Sequence, residues 1–310
     1  MMSASPSDAI ARPTANLLPL SIAAFCLLWS TAFVAGKIGV TNCPPLVLLA
    51  ARFSLAGILI LGVSLGRRGM WTFSWRDVWV FALLGIVNNA LYLGLAYMGL
   101  RTISAGLGGL IVSANPIFTA IFAALLLGER LTGRKLLGLA LGIAGVTIIV
   151  AHRLSAGTDN ATGVLLTVAA LASIVAGTIL FKRLAPQGNL WIGNGIQNLA
   201  AGLLLTPFAL SVSAWGGIEL SARFLAAFAF LVLGGSILAY ALWFHLLTVC
   251  GATKASSFHF VMPPLSMLLA WVVLGEPLFP YDLLGIIPVA AGIYLVSSPM
   301  RKPTTIHAKC

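Results

Sequence analysis

Apolar residues arrive in long runs broken by short polar stretches. Ten runs stand out: 17–37, 45–66, 76–99, 104–127, 134–151, 161–181, 190–211, 222–249, 255–274 and 281–297. About 20 apolar residues in a helix cross the hydrocarbon of a bilayer. The pattern therefore predicts an all-α polytopic membrane protein with ten transmembrane helices. The fifth and tenth runs are short, and 222–249 is long enough to tilt. Glycine, proline, asparagine and serine punctuate the connections. Residues 1–16 are polar and read as a flexible N-terminus, 152–160 as a linker and 298–310 as a C-terminal tail. The first run lacks an obvious small-residue cleavage site and is read as a retained span.

The pattern also repeats. Shifting residues 104–151 by 147 positions places Pro116 on Pro263 and Leu127-Gly128-Glu129 on Leu274-Gly275-Glu276. The chain thus divides into related halves, 17–151 and 161–297. Each half holds five spans. An odd number forces the second half to enter from the opposite side, which predicts two five-helix inverted-topology repeats. Glu129 then falls at the cytoplasmic face and Glu276 at the external face.

Composition agrees with a membrane solvent. Of 310 residues, 60% are hydrophobic and 8% charged, against about 25% charged in soluble domains. Mean hydropathy is +1.04. The formal charge of +11 suggests nucleic acid in a soluble protein. Here no basic surface interleaved with aromatics accompanies it, and topology explains it better. With the N-terminus cytoplasmic, Arg12, Arg67, Arg68, Arg76, Arg130, Arg134, Lys135, Lys182, Arg183, Lys254, Arg301, Lys302 and Lys309 all lie on that side. Arg101, Arg153 and Arg223 fall outside it. The positive-inside rule then places both termini in the cytoplasm. Trp71, Trp75 and Trp79 cluster where the third span enters, and Trp191 and Trp215 flank the seventh, as expected of aromatics at headgroup level.

Polar groups inside spans are costly and mark cavities or partners. Lys37 ends the first span and Arg52 sits within the second. Each is read as a gate or fold clamp; for Arg52, snorkelling or clamping the fold and anion binding or gating are equal alternatives, and for Lys37 snorkelling or clamping leads. Lys182 and Gln197 are their loose counterparts in the second half. In the third span, Asn89, Tyr92 and Leu93 share a face if the helix is regular, beside Asn88 and Tyr97. They either line a cavity or bond helix to helix. Asn115-Pro116 and Pro263 lie at matching depths, as hinges or plain bends. Trp29, Trp243 and Trp271 fall deep, as core or cavity wall. His245 and His259 are the histidines well inside spans, packed or titrating. Tyr240 and Phe244 accompany them.

No carboxylate lies well inside a span, which disfavours proton antiport. The four cysteines have no metal spacing. No catalytic triad, phosphate loop or dinucleotide fingerprint is present. The expectation is a non-enzyme with no cofactor and no metal, whose partners are a small-molecule solute and the lipid bilayer. It needs no nucleic acid, and a monomer suffices.

Leu28-Trp29-Ser30-Thr31-Ala32-Phe33, Ala51-Arg52-Phe53, Asn115-Pro116 and the duplicated proline-to-Leu-Gly-Glu pattern resemble the EamA family of the drug/metabolite transporter superfamily. The resemblance spans nearly the whole chain. It implies a bacterial inner-membrane secondary transporter with ten helices in two inverted halves, exporting amino acids or related metabolites by alternating access. Other solutes carried by relatives (nucleosides, sugars, xenobiotics) form the alternative, and a membrane enzyme or scaffold is a more distant one. By position, the resemblance puts Trp29, Asn89, Tyr92, Asn115, Trp243, His245 and His259 near substrate. The membrane glutamate of the small multidrug branch is missing here.

Overall fold

A computed structural model describes residues 17–66, 74–128, 132–212, 217–250 and 258–297. Glu129, Arg130, Lys254, Trp71, Trp215 and both chain ends, on which several topological expectations rest, lie outside the described residues. Within them every regular element is helical. We label ten passages: α1 Leu18–Asn42, α2 Pro45–Leu65, α3 Trp75–Leu100, α4 Ala105–Leu127, α5 Gly133–Ser155, α6 Ala161–Leu184 and α7 Leu190–Val212. They continue with α8 (Ala222–Ala229, Phe230–Leu238 and Ala239–Cys250 in succession), α9 (Phe258–Val261, then Met262–Leu274) and α10 Pro280–Ser297.

Local sequence explains where these helices begin. Ser74, Ser104, Thr132, Asn160 and Ser221 each accept a first-turn backbone N–H with the side chain, satisfying donors that a helix start leaves unpaired. Pro45, Pro116 and Pro263 sit in first turns, where a missing N–H costs nothing. Gly128 and Gly275 end α4 and α9 at φ 69° and 70°, a left-handed turn that glycine takes without strain. These two positions are related by the 147-residue shift, as are the caps Ser74 and Ser221.

Seven passages (α1 to α6 and α8) are long and apolar enough to cross a membrane. Met262–Leu274 and Pro280–Val296 are apolar but shorter. The remaining passage, α7, carries the buried amides Asn194, Gln197 and Asn198. The fifth passage is longer than expected, because α5 continues through His152 and Arg153 to Ser155. Both residues are part of the helix rather than of a linker. Large apolar side chains such as Ile58, Leu125, Leu203, Val272 and Ile287 are exposed on the outside of the bundle. Lipid, not water, suits such a belt.

Glycines set the closest helix pairs and reveal their directions. A Cβ on Gly138 would lie 2.7 Å from the Gly292 carbonyl oxygen, and one on Gly145 2.5 Å from that of Gly285. Contacts therefore run in opposite sequence order, so α5 and α10 are antiparallel with backbones touching. Similarly Gly202 abuts Ser54 while Gly57 abuts Leu199, which makes α2 and α7 antiparallel. Gly106 meets Ala270 and Gly109 meets Ser266, so α4 and α9 are antiparallel as well. Each helix of these pairs lies against the one five passages later.

Two irregularities also recur. Ile86–Leu91 in α3 and Phe230–Leu238 in α8 are π-helical, and the first, shifted by 147, falls inside the second. A widened turn adds a residue to the local repeat and re-aims the side chains of the next turn. In addition, Ala114 interrupts α4 between Ala105–Ser113 and Asn115–Leu127, and a 3₁₀ turn precedes Pro263 in α9. The backbone breaks thus lie just before Pro116 and Pro263, at equivalent places.

Candidate functional site

A small cavity of about 40 Å³ lies between α1, α2, α3 and α8, walled by Trp29, Phe33, Arg52, Tyr92, Tyr97 and Tyr240 among others. By the ~1.5 Å rise per residue, Arg52 is about 10 Å along α2 from its start. Its side chain is 4% exposed. The guanidinium donates from Nε to Ser236 Oγ at 3.0 Å and from one terminal nitrogen to Tyr97 Oη at 2.7 Å. The Phe53 and Tyr97 rings lie 5.4 and 5.8 Å from its central carbon. Gly235 leaves room for the other terminal nitrogen, which a Cβ there would approach to 3.0 Å. Among the described residues no carboxylate pairs with Arg52.

The π-helical segments arrange this wall. Tyr92 and Leu93 follow the α3 segment, and their 147-residue counterparts Ala239 and Tyr240 follow the α8 segment; all four line the cavity. Ser236 lies within the α8 segment. Its carbonyl accepts from Asn194 Nδ2 at 3.0 Å, and Asn198 in turn donates to Asn194 Oδ1 at 2.8 Å. The anchor of Arg52 on α8 is therefore itself held from α7. Neither Ser236 nor Asn194 stood out in the sequence. The available signal was the Asn194/Asn198 pair at one-turn spacing.

An aromatic cluster adjoins the cavity. Phe25 packs 5.6 Å from Trp29, 5.5 Å from Trp243 and 5.7 Å from His259. The His259 ring stands edge-on to Trp243 at 5.3 Å, and Tyr240 lies 5.8 Å from Trp29. The structure thus brings together Trp29, Tyr92, Trp243, His259 and Arg52. Other expected cavity residues are elsewhere. Asn89 is buried in the π-helical turn but does not wall this cavity, because the extra residue breaks the regular spacing to Tyr92 and Leu93. Asn115 accepts from Thr119 within α4. His245 is exposed, as is Trp271; neither occupies a core or cavity position.

The gate candidates separate in the same way. Lys37 does not end its helix: α1 runs five residues further, and Lys37 Nζ donates to the carbonyls of Leu100 and Ile103 at 2.6 and 2.7 Å. It clamps the end of α3. Lys182 is exposed at the end of α6, so it does not share the half-buried environment of Lys37. Gln197 is buried where its backbone crosses Gly85 of α3.

A second charged site went unrecognised in the sequence, where Arg153 read as an external loop charge. It is 1% exposed. Two of its nitrogens bond Asp282 at 2.9 and 2.7 Å, and another bonds Asp159 at 3.3 Å and Ser104 at 3.0 Å. Pro277 contributes its carbonyl at 3.2 Å. Nearby, Glu276 accepts from the Ala105 and Gly106 amides at 2.7 and 3.1 Å, at the start of α4. Helix starts favour such a negative charge. At the opposite end, Asp77 accepts from Ser74 and from the Gln187 amide, and Arg76 donates to the Leu184 carbonyl.

The sequence profile of the EamA-like transporter family matches residues 17–151 and 161–298. The chain belongs to this family. It is accordingly a membrane transporter for small solutes rather than an enzyme. The chain is 27% identical over 284 residues to the uncharacterized transporter YvbV of Bacillus subtilis, covering 91% of this chain and 92% of that one. It is 29% identical to the uncharacterized inner membrane transporter YedA of Escherichia coli K12, with coverage of 91% and 92%. It is 26% identical to a protein of Salmonella typhimurium named "Probable amino-acid metabolite efflux pump", covering 87% and 91%. One solved crystal structure, 21% identical, superposes with a TM-score of 0.66 over 90% of this chain and 95% of the other. That likeness extends to the fold.

Proposed function

We propose that this protein exports amino acids or related small metabolites across a bacterial inner membrane by alternating access. The observation that carries the reading is a buried polar and aromatic cavity walled by α1, α2 and α3 of the first half and α8 of the second. Exposing it alternately requires the halves to move against each other. The antiparallel pairing of each helix with the one five passages later supports ten crossings in two inverted repeats, 17–151 and 161–297. The breaks before Pro116 and Pro263, with the two π-helical segments, supply hinges at equivalent depths. Arg76, Arg134, Lys135, Lys182 and Arg183 gather at the Asp77 end of the bundle, which favours that end, and both termini, as cytoplasmic.

The names of the Escherichia coli and Salmonella relatives support an inner-membrane location and amino-acid metabolites as cargo. The walls of Trp29, Tyr92 and Tyr240 favour an amphipathic solute over a sugar. Reconstitution into proteoliposomes with a labelled metabolite panel, with and without a pH gradient, tests the reading. Saturable movement of an amino-acid metabolite is expected, whereas movement of sugars or nucleosides alone would overturn the cargo class. Side-specific labelling of single cysteines placed at residues 187 and 278 should report opposite faces; the same face would refute the inverted arrangement.

A further inference from the structure

Arg52 poses an electrostatic question that the fold does not answer. A guanidinium in an apolar interior needs a compensating anion or strong acceptors. Its two bonded partners, Ser236 and Tyr97, are both neutral. The chain holds seven acidic residues, and the five that are described (Asp77, Asp159, Glu219, Glu276 and Asp282) sit at helix ends or in connections. None shares the cavity. A planar guanidinium has five N–H donors arranged to grip a carboxylate with two parallel bonds. Two donors are used, and the terminal nitrogen beside Gly235 has no bonded acceptor among the described residues.

We infer that the missing anion is the cargo. Arg52 receives the carboxylate of an amphipathic organic acid, while Trp29, Tyr92 and Tyr240 cover its apolar body. This rests on the transporter reading and narrows it. With no carboxylate in the wall to match an ammonium, the cavity favours a net anion, such as an aryl or branched aliphatic carboxylate, over a cation or neutral amide. Bringing the anion in removes the isolated buried charge, so the loaded cavity is favoured over the empty one. Ser236 and Tyr97 hold the guanidinium from α8 and α3, which ties the anion to elements of both halves.

The test pairs solutes of one shape and different charge. Phenylacetate and phenylacetamide, with L-phenylalanine and L-phenylalaninamide, are titrated against the purified full chain in nanodiscs, with cavity tryptophan fluorescence and thermal shift as readouts. The wild type should bind phenylacetate at least tenfold more tightly than phenylacetamide. Arg52→Gln should bring that ratio to within about twofold at normal folded abundance, and Arg52→Lys should restore part of it. Equal binding of acid and amide, binding of neither, or a preference surviving in Arg52→Gln overturns the inference. Should Arg52→Gln not fold, the acid-to-amide ratio of the wild type decides alone. If phenylalaninamide crosses proteoliposomes and no carboxylate does, transport stands and this inference falls. If phenylacetate binds through Arg52 and nothing crosses, the carboxylate site stands and its role as the cargo site falls.

Discussion

Two buried arginines divide the labour of this molecule. Arg153 is closed: Asp282, Asp159, Ser104 and the Pro277 carbonyl occupy its donors and cancel its charge. Arg52 is nearly as buried but open, with two neutral partners and a cavity in front of it. Both carry the same charge on the same side chain. What differs is whether the protein supplies the counter-charge. Arg153 joins α4, α5, the start of α6 and the α9–α10 connection, a structural knot between the two halves. Arg52 holds its charge in reserve, as a binding group must.

Breaking the knot should have the largest effect. Arg153→Ala leaves Asp159 and Asp282 buried without their cationic partner, a loss of about 3–5 kcal/mol. It should abolish folded protein in detergent gel filtration. Replacing Arg153, Asp159 and Asp282 together by Met, Asn and Leu should recover much of it, since a removed charge cluster is cheaper than a broken one. Arg52→Gln reverses the pattern: folded abundance near wild type and initial transport of the preferred solute down at least tenfold. Folding loss equal to that of Arg153→Ala would erase the contrast.

Within the knot, Asp159→Asn should cost about 1.5–3 kcal/mol, the range for hydrogen bonds to charged groups. Its effect on thermal stability should be smaller than that of Asp282→Asn, because Asp282 makes two bonds to Arg153, at 2.9 and 2.7 Å, and Asp159 one, at 3.3 Å. In the cavity, Tyr97→Phe removes one acceptor from Arg52, worth about 1 kcal/mol. A several-fold rise in apparent KM with little change in folded yield is expected.

The smallest effect concerns Cys43, in the connection between α1 and α2. Burial pushes its thiol up to about 11, partly offset by a backbone hydrogen bond. Only the thiolate reacts. In a variant keeping Cys43 as its single cysteine, maleimide labelling should be slow near neutrality. It should rise about tenfold per pH unit and still be climbing above pH 9, where an ordinary thiol levels off. A plateau near pH 9 would show that this end of the bundle is less tightly packed than the structure describes.

Much of the architecture was legible from pattern alone. Helix positions, the 147-residue sequence repeat and the paired prolines are set by apolar run length and turn residues, which act locally. Arg52 announced itself as a charge inside an apolar run. Its partner Ser236 did not, since a lone serine in such a run has no local signature. Asn89 misled for a related reason. Its spacing to Tyr92 assumed a regular helix, and the π-helical turn, stabilised by packing against α7 and α6, removed the assumption. His245 shows the limit from the other side: depth in a span says nothing about which face of the helix a residue occupies.

The sequence by itself determined that this chain lives in a membrane, is helical in its described elements, repeats its pattern of prolines and turns, and holds a cation where cations are costly. Hydrophobicity and periodicity are properties of neighbouring residues, so one dimension suffices to read them. Only the tertiary structure decided which arginine is neutralised. Asp282 lies 129 positions from Arg153 and Ser236 lies 184 from Arg52. Coulomb and hydrogen-bond energies depend on distance in space, and those distances exist only once the two halves have packed together.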